Sequence, residues 1–320
     1  MIDCRWPLLI AALAIALPAQ GDSPGTLGRI PVPPVRVDGE DSPAERPLLL
    51  WDRADAALQV ELEAAIERLQ LTSEVDRHHL AVVLVDITDV ENSRVASVNG
   101  DLMLYAASLP KIAVLLAAFE QIASGDLELD AELRSLLDQM IRRSSNPATT
   151  EVMHRIGKEN ISLVLRSSRY GLYDPNHNGG LWVGKDFAKA GLWKRDPIHN
   201  LSHGATAMQV ARFYYLLETE QLVTPEHSRL MKDILGSDHI QHKFISSLAQ
   251  IDPEAQILRK SGSWRRYHAD SVLVKRRGRA YIAVGLSEDE DGKIWLQKLI
   301  YELDAIIMAR HPDPESPLRN

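Results

Sequence analysis

The sequence predicts an α+β sandwich in which one antiparallel sheet of about five strands is covered by helices on both faces. Predicted strands occur near both ends of the domain and are separated by a long helical region, about residues 107–250. Helical patterns also precede the first strand and follow the last. Because helices and sheets pack in layers around one core, we expect the terminal helices on one face and the helical region on the other.

The N-terminal segment is not expected to join this fold. Residues 6–18 are apolar and about as long as the core of a signal peptide, but short for a membrane span. We therefore expect residues 1–21 to be a signal peptide, with export to the periplasm or the medium; an uncleaved anchor is the alternative. Residues 22–47 are rich in Pro and predict an extended linker. The folded domain is then 48–312, followed by a tail, 313–320.

The first part of the domain supplies a helix, two strands and a buried helix. Residues 54–69 carry apolar side chains at helical spacing, which is typical of a helix with one buried face. Residues 80–87 are rich in β-branched side chains and predict a buried strand, with residues 94–105 as its partner across a turn. Residues 110–124 are nearly all apolar, so we expect a central, buried helix.

The rest of the domain contains four helices, a long loop, three strands and a last helix. The helices are predicted at residues 131–142, 147–156, 207–217 and 225–235. Residues 170–204 are rich in Gly and predict a long loop, a kind of segment that is often functional. The strands are predicted at residues 257–263, 270–275 and 280–285, the last two as a hairpin, before a helix at 293–310.

The net charge and the cysteine content argue against several classes of function. The formal net charge is −8, so the basic footprint of a nucleic-acid binder is missing and no nucleic-acid partner is expected. The single cysteine, Cys4, excludes a disulfide framework and a cysteine metal site. The histidines lack carboxylate partners in a familiar ligand spacing, so neither a metal nor a cofactor is expected.

Ser108 and Lys111 (S-L-P-K) lie where a predicted strand gives way to the buried helix. Their spacing of three places both on one helix face, and the free N–H groups of a helix start can stabilise an oxyanion. A lysine removed from water has a lowered pKa and can accept a proton from a hydroxyl. The motif predicts a serine nucleophile activated by lysine; a capping serine beside a surface lysine is the alternative.

Two further motifs are weaker when taken alone. Ser144 and Asn146 open a predicted helix at Pro147. They are either ordinary caps, or a proton relay and a substrate contact. Lys260 and Gly262 (K-S-G) lie on a late strand, where the lysine can attract a carboxylate and the glycine permits close approach of a substrate backbone.

Together, the order S-x-x-K, S-x-N, K-S-G over roughly residues 50–310 resembles class A β-lactamases and penicillin-binding proteins. The resemblance implies their β-lactamase/transpeptidase-like fold. It also implies that Ser108 attacks an amide carbonyl to form an acyl-enzyme, with Lys111 taking its proton directly or through water. Ser144 then passes a proton to the leaving nitrogen, and Asn146 orients the acyl side chain.

The same resemblance implies a carboxylate site and an oxyanion hole. Lys260 and Ser261 would hold the substrate carboxylate, beside Gly262. The N–H groups of Ser108 and Ser263 would form the oxyanion hole. Ser261 replaces the usual Thr and keeps its hydroxyl.

Two departures from the family pattern bear on activity. Ser145 replaces the usual Asp of the second motif, so we expect a rearranged hydrogen-bond network there. Class A enzymes also carry a loop Glu that activates the deacylating water, but residues 160–217 contain no Glu. Without a general base, about 10²–10⁴ in rate is forfeited. Asp186 or Asp196 could substitute, as could Lys111 serving both steps.

The sequence therefore leaves three functions open. The first is an exported, monomeric β-lactamase that hydrolyses a β-lactam amide. The second is a D-alanyl-D-alanine peptidase or an esterase-like relative acting on peptidoglycan or another amide or ester. The third is a sensor that binds penicillin and deacylates slowly. The missing loop Glu favours the second and third, whereas the overall layout favours the first.

Overall fold

The computed structural model describes residues 50–187, 191, 193–236 and 242–311. The predicted signal peptide, linker and tail (1–21, 22–47 and 313–320) lie outside these residues, so their boundaries stay predictions. In the described part of the chain, no helix has both the length and the apolar character needed to cross a membrane.

The helices and strands are as follows. The α-helices are α1 Ala56–Arg68, α2 Thr72–Asp76, α3 Lys111–Ser124, α4 Ala131–Arg142, α5 Asn146–Ile156, α6 Lys158–Arg166, α7 Ala207–Glu218, α8 Pro225–Leu235, α9 Phe244–Ile251 and α10 Gly292–Arg310. The strands are β1 Leu80–Asp86, β2 Arg94–Val98, β3 Leu104–Tyr105, β4 Tyr173–Asp174, β5 Gly179–Gly180, β6 Trp182–Val183, β7 His203–Ala205, β8 Gln256–Trp264, β9 Tyr267–Arg276 and β10 Arg279–Glu288.

Strands from both ends of the domain form one five-stranded antiparallel sheet in the order β2-β1-β10-β9-β8. The central contact pairs β1 with β10 in a register that sets Val83 opposite Val284. The hairpin between β9 and β10 turns through Arg277 and Gly278, both with positive φ, as the tight turns of two-residue hairpins require. This sheet, with helices on both faces, confirms the predicted fold class.

Alternation along β1 explains why both faces of the sheet are covered. All seven residues of β1 are buried. Val82 and Leu84 pack in the cluster that includes α1, α9 and α10. Val83 and Val85 pack in the larger cluster that includes α3, α4 and α7. Because successive side chains of a strand point to opposite faces, an apolar run of this kind requires two apolar layers.

The buried helix α3 lies at the centre of the larger cluster. Its residues from Lys111 to Phe119 are all buried. It ends at Gly125, whose φ of 81° is the left-handed conformation common after helices. A lysine is therefore fixed at the start of an otherwise apolar helix, as the sequence predicts.

Several predicted elements are wrong in detail. Residues 94–105 are not one strand: β2 ends at Val98, the chain turns through Asn99 at positive φ, and β3 pairs with β7 rather than with β1. The region 107–250 is not entirely helical, because it contains the short strands β4 to β7. Helices α2, α6 and α9 were not predicted, and α9 packs on the face of the terminal helices. All three are short, so their periodicity is weak.

Candidate active site

Ser108 lies in a tight turn that precedes α3. Ala107 has a φ of 50°, and the N–H of Lys111 donates to the Ser108 carbonyl oxygen at 3.3 Å. This i to i+3 bond continues directly into the helix. The Ser108 side chain lines a cavity and makes no hydrogen bond with any residue that the structure describes. Ser108 therefore lies at the cavity wall, next to the N-terminus of α3.

Lys111 is fully buried, and its amine makes polar contacts with residues of a different helix. Its Nζ donates to the Ser144 carbonyl oxygen at 2.6 Å and to Asn146 Oδ1 at 2.8 Å, and it lies 3.4 Å from Ser144 Oγ. Burial lowers the pKa of Lys111 to about 7. In the described residues Lys111 and Ser108 therefore share no side-chain hydrogen bond, because the amine is engaged by acceptors at the start of α5.

Ser144 has a left-handed backbone, which directs both its carbonyl and its hydroxyl to buried amines. Its φ is 53°. Its Oγ accepts from Lys260 Nζ at 3.0 Å and lies near Lys111 Nζ on the other side. The next residue, Ser145, caps α5 by accepting from the N–H of Ala148 at 3.2 Å. The serine in place of the usual Asp is thus part of an ordinary N-cap.

Lys260, the first residue of the K-S-G motif on β8, places its amine beside the Ser144 hydroxyl as well. Its amine is 2% exposed and also donates to the Ser261 carbonyl oxygen at 2.7 Å. Burial, the Lys111 charge and the nearby Arg259 hold the pKa of Lys260 well below its usual range. Two amines far apart in the chain therefore share one hydroxyl, and their mutual repulsion disfavours the state in which both are charged.

Gly262 permits a close approach within the protein itself. A Cβ at this position would lie 2.2 Å from the Ala106 carbonyl oxygen and 2.7 Å from the Ser108 nitrogen. The glycine therefore lets β8 approach the backbone of the Ser108 turn. This contact fixes the turn against the strand that carries Lys260, although β8 is an edge strand of the sheet.

The cavity in front of Ser108 has a volume of about 750 Å³. Its lining residues are Tyr105, Ala107, Ser108, Asn146, Lys185, Asp186, Phe187, Arg195, Leu201, Ser202, His203, Ser263, Trp264 and Tyr267. Ser263 and Asn146 therefore line the cavity, whereas Ser261 is half-buried and is not one of its lining residues. The cavity combines aromatic walls with two cationic side chains, Lys185 and Arg195, and the carboxylate of Asp186, so it can receive a ligand with both apolar and charged groups.

Asp186 lines this cavity, but Lys158 and His154 already engage its carboxylate. It lies 2.7 Å from Lys158 Nζ and 3.4 Å from His154 Nε2. Burial alone would raise its pKa, yet the bonds from Lys158 and His154 hold it below its usual range. Asp196, the other candidate base, is buried in the loop, where it accepts from Tyr173 Oη and the N–H of His199. Asp196 therefore shapes the loop and does not line the cavity.

His203 and Phe187 are site residues that the sequence did not reveal. Their rings stack with centroids 4.2 Å apart, and Lys111 Nζ lies 4.8 Å from the Phe187 centroid. His203 is 3% exposed. Burial and the charges of Lys185 and Lys111 lower its pKa to about 3, so its imidazole is neutral. No spacing signal in the sequence indicates this pair.

Away from this cavity, one group of described side chains could supply the ligands of a metal ion. Glu74, His79 and Asp289 bring three potential ligand atoms within 4.8 Å of one another, in half-buried positions. His79 Nδ1 already contacts Glu74 at 3.1 Å. None of the three lines the cavity in front of Ser108.

The sequence matches the model of the beta-lactamase enzyme family over residues 61–134 and 131–308. Because this match covers most of the chain, the protein belongs to that family. Sequence comparison with the curated proteins gives no match.

Solved structures with the same fold include β-lactamases and a penicillin-binding protein. A β-lactamase from Sphaerobacter thermophilus DSM 20745 has a TM-score of 0.61 at 15% identity, covering 79% of this chain and 99% of its own. A class A β-lactamase from Bacteroides cellulosilyticus DSM 14838 has a TM-score of 0.59 at 14% identity, covering 80% and 99%. PBP-A has a TM-score of 0.59 at 15% identity, covering 81% and 97%. At these identities the likeness establishes the fold.

Proposed function

We propose that this protein is a serine acyl-hydrolase that forms an acyl-enzyme on Ser108 with β-lactams or related amides. The observation that carries the proposal is the convergence of Lys111 and Lys260 on Ser144 Oγ, beside the cavity that Ser108 lines. Family membership supports the reaction class. A variant of PBP-A has been solved as an acyl-enzyme complex with penicillin G, at 16% identity and a TM-score of 0.58.

In the proposed acylation, the Ser108 hydroxyl attacks the amide carbonyl and its proton passes to Lys111. A pKa of about 7 leaves much of this amine neutral near neutral pH, so it can serve as the base. Since Lys111 does not bond Ser108 directly, a water molecule or a small side-chain movement would connect them. The backbone N–H groups of Ser108 and Ser263 would stabilise the oxyanion.

The leaving nitrogen needs a proton, and Ser144 is placed to supply it. Its hydroxyl contacts both amines and can be reprotonated by either. Lys260 would attract the carboxylate that penicillins carry, and Ser261 would assist. Asn146, at the cavity wall, would contact the acyl side chain.

We further propose that deacylation is slow, as in a penicillin-binding sensor or a peptidase. Asp186 is the acidic side chain on the cavity wall, and its carboxylate is engaged by Lys158 and His154. A carboxylate with a lowered pKa is also a weak general base. We therefore base the proposal of slow deacylation on the weak base that this carboxylate provides at the wall of the cavity.

Intact-protein mass spectrometry with penicillin G tests both steps. We expect an adduct of the mass of the penicillin that persists for minutes and is absent from Ser108→Ala. An adduct that clears within seconds would contradict slow deacylation but keep the serine mechanism. If the wild-type protein forms no adduct with penicillin G or with a D-alanyl-D-alanine thioester analogue, the proposed function is wrong.

From the predicted leader we propose that the protein is exported, and that it is a monomer in the periplasm or the medium. Expression with the native leader, followed by fractionation and N-terminal sequencing, tests the location. A mature protein that begins near residue 22 is expected. Retention of the full leader in a membrane fraction would instead support the anchor.

A further inference from the structure

A second cavity, of about 390 Å³, lies where α6 runs into the long loop. It shares no lining residue with the cavity in front of Ser108. Its wall carries three guanidinium groups, those of Arg166, Arg169 and Arg212, and the carboxylate of Asp174. The indole of Trp51 covers one side, with its ring 5.3 Å from Arg212 Cζ. Cationic groups therefore outnumber anionic ones on its surface.

Arg212 is the unusual member of this group, because it is a buried cation with only neutral acceptors. It is 7% exposed and donates to the carbonyl oxygens of Tyr170 and Gly171, each at 2.9 Å, and to Gln209 Oε1 at 2.7 Å. No carboxylate in the described part of the chain forms an ion pair with it. Burial lowers its pKa to about 10. Buried charges in proteins normally require a paired countercharge, and among the described residues the carboxylate of Asp174 acts on Arg212 only through a longer-range attraction, without an ion pair.

The neighbouring groups do not meet that requirement. Arg166 is exposed and forms no ion pair with a described residue, whereas Arg169 is partly neutralised by Glu120 at 3.3 Å. Asp174 forms no ion pair with Arg212, although its negative charge raises the pKa of Arg212, and it accepts from the N–H of Asn176, at the start of a short 3₁₀ turn. The amide nitrogen of Gln209, a residue behind the cavity wall, is buried without an acceptor among the described residues.

We propose that this cavity binds a small oxyanion, a phosphate or carboxylate group, held by Arg212 and Arg166. The planar guanidinium matches the geometry of these groups and can bond them through two N–H groups at once. The site is independent of the proposed acyl-enzyme chemistry. It lies at the base of the loop that continues to Lys185 and Asp186, so an occupant would contact the start of that loop.

Calorimetric titration of the whole protein with sodium phosphate tests the proposal, with sodium chloride at matched ionic strength as the reference. We expect saturable binding of one phosphate and a rise in melting temperature beyond that given by chloride. The exposed-site variant Arg166→Gln should weaken binding at least tenfold, and Arg212→Gln should abolish it. If Arg212→Gln does not fold, the phosphate affinity of Arg166→Gln tests the proposal by itself. A parallel titration with citrate distinguishes the two kinds of ligand. Tighter binding of citrate than of phosphate indicates a carboxylate ligand, and the reverse indicates a phosphate ligand.

Two controls locate the ion. Arg229→Gln removes an exposed arginine elsewhere and should bind phosphate like the wild type. Lys260→Ala removes a cation near Ser108 and should also bind normally. Absence of saturable binding for both phosphate and citrate, or binding unchanged in Arg166→Gln and Arg212→Gln, would overturn the proposal. Binding lost only in Lys260→Ala would overturn it as well, because the anion would then belong to the other cavity.

Discussion

The hydroxyl of Ser144 lies 3.0 Å from the amine of Lys260, although 116 residues separate them in the chain. The same hydroxyl is 3.4 Å from the amine of Lys111. One side chain therefore joins the helix that follows Ser108 to the edge strand of the sheet. Protons can move between the two amines through this hydroxyl, which gives the proposed acylation its relay.

The pH dependence of acylation should report Lys111. Because burial lowers its pKa to about 7, the amine is protonated below pH 7 and cannot act as a base there. The acylation rate constant should fall about tenfold per pH unit below 7 and level off above it. Stopped-flow measurements with a chromogenic β-lactam between pH 5 and 9 give this profile. Lys111→Arg, which stays charged, should lose about 10²–10⁴ in rate at all pH values. A flat wild-type profile would exclude Lys111 as the base.

Ser144 and Ser145 provide a matched pair of variants. Ser144→Ala removes the hydroxyl between the two amines and should lower acylation by about 10²–10⁴ with little loss of stability. Ser145→Ala removes the cap of α5 and should cost about 1 kcal/mol of unfolding free energy while acylation stays near the wild-type rate. Acylation rates and urea unfolding measure both. Equal effects on acylation would show that Ser144 acts only through the local structure.

Gly262→Ala tests the contact between β8 and the Ser108 turn. Its Cβ would overlap the Ala106 carbonyl oxygen, so the strand and the turn must separate. We expect about 1–3 kcal/mol of destabilisation, together with slower acylation because the turn carries Ser108. Ser261→Ala, at the adjacent position, should leave the melting temperature nearly unchanged. A Gly262→Ala protein with wild-type stability would contradict the close approach.

Asp186→Asn tests whether this carboxylate activates the deacylating water. Since Lys158 and His154 engage it, deacylation should change less than about threefold, well short of the 10²–10⁴ of a general base. The decay of the penicillin adduct followed by mass spectrometry measures this. A hundredfold longer adduct lifetime would instead identify Asp186 as the base.

The sequence predicts a helix or a strand well where the pattern that indicates it lies within that helix or strand. The strand β1 is indicated by its run of β-branched residues and the helix α3 by its nearly continuous apolar run, and three short motifs contain the side chains that meet at Ser144. Local patterns did not predict the role of Gly262, since the carbonyl that it accommodates belongs to Ala106. The stack of Phe187 on His203 was equally invisible, because it depends on how the long loop folds back.

The pairing of β1 with β10 has a consequence for biosynthesis. Leu80 pairs with Ser287, so β1 has no partner on the β10 side until nearly the whole chain has left the ribosome. Contacts of such long sequence separation form slowly, so the sheet would stay incomplete while the protein is being made. For the export that we propose, a channel that accepts only extended polypeptides would then meet the chain before this sheet has formed.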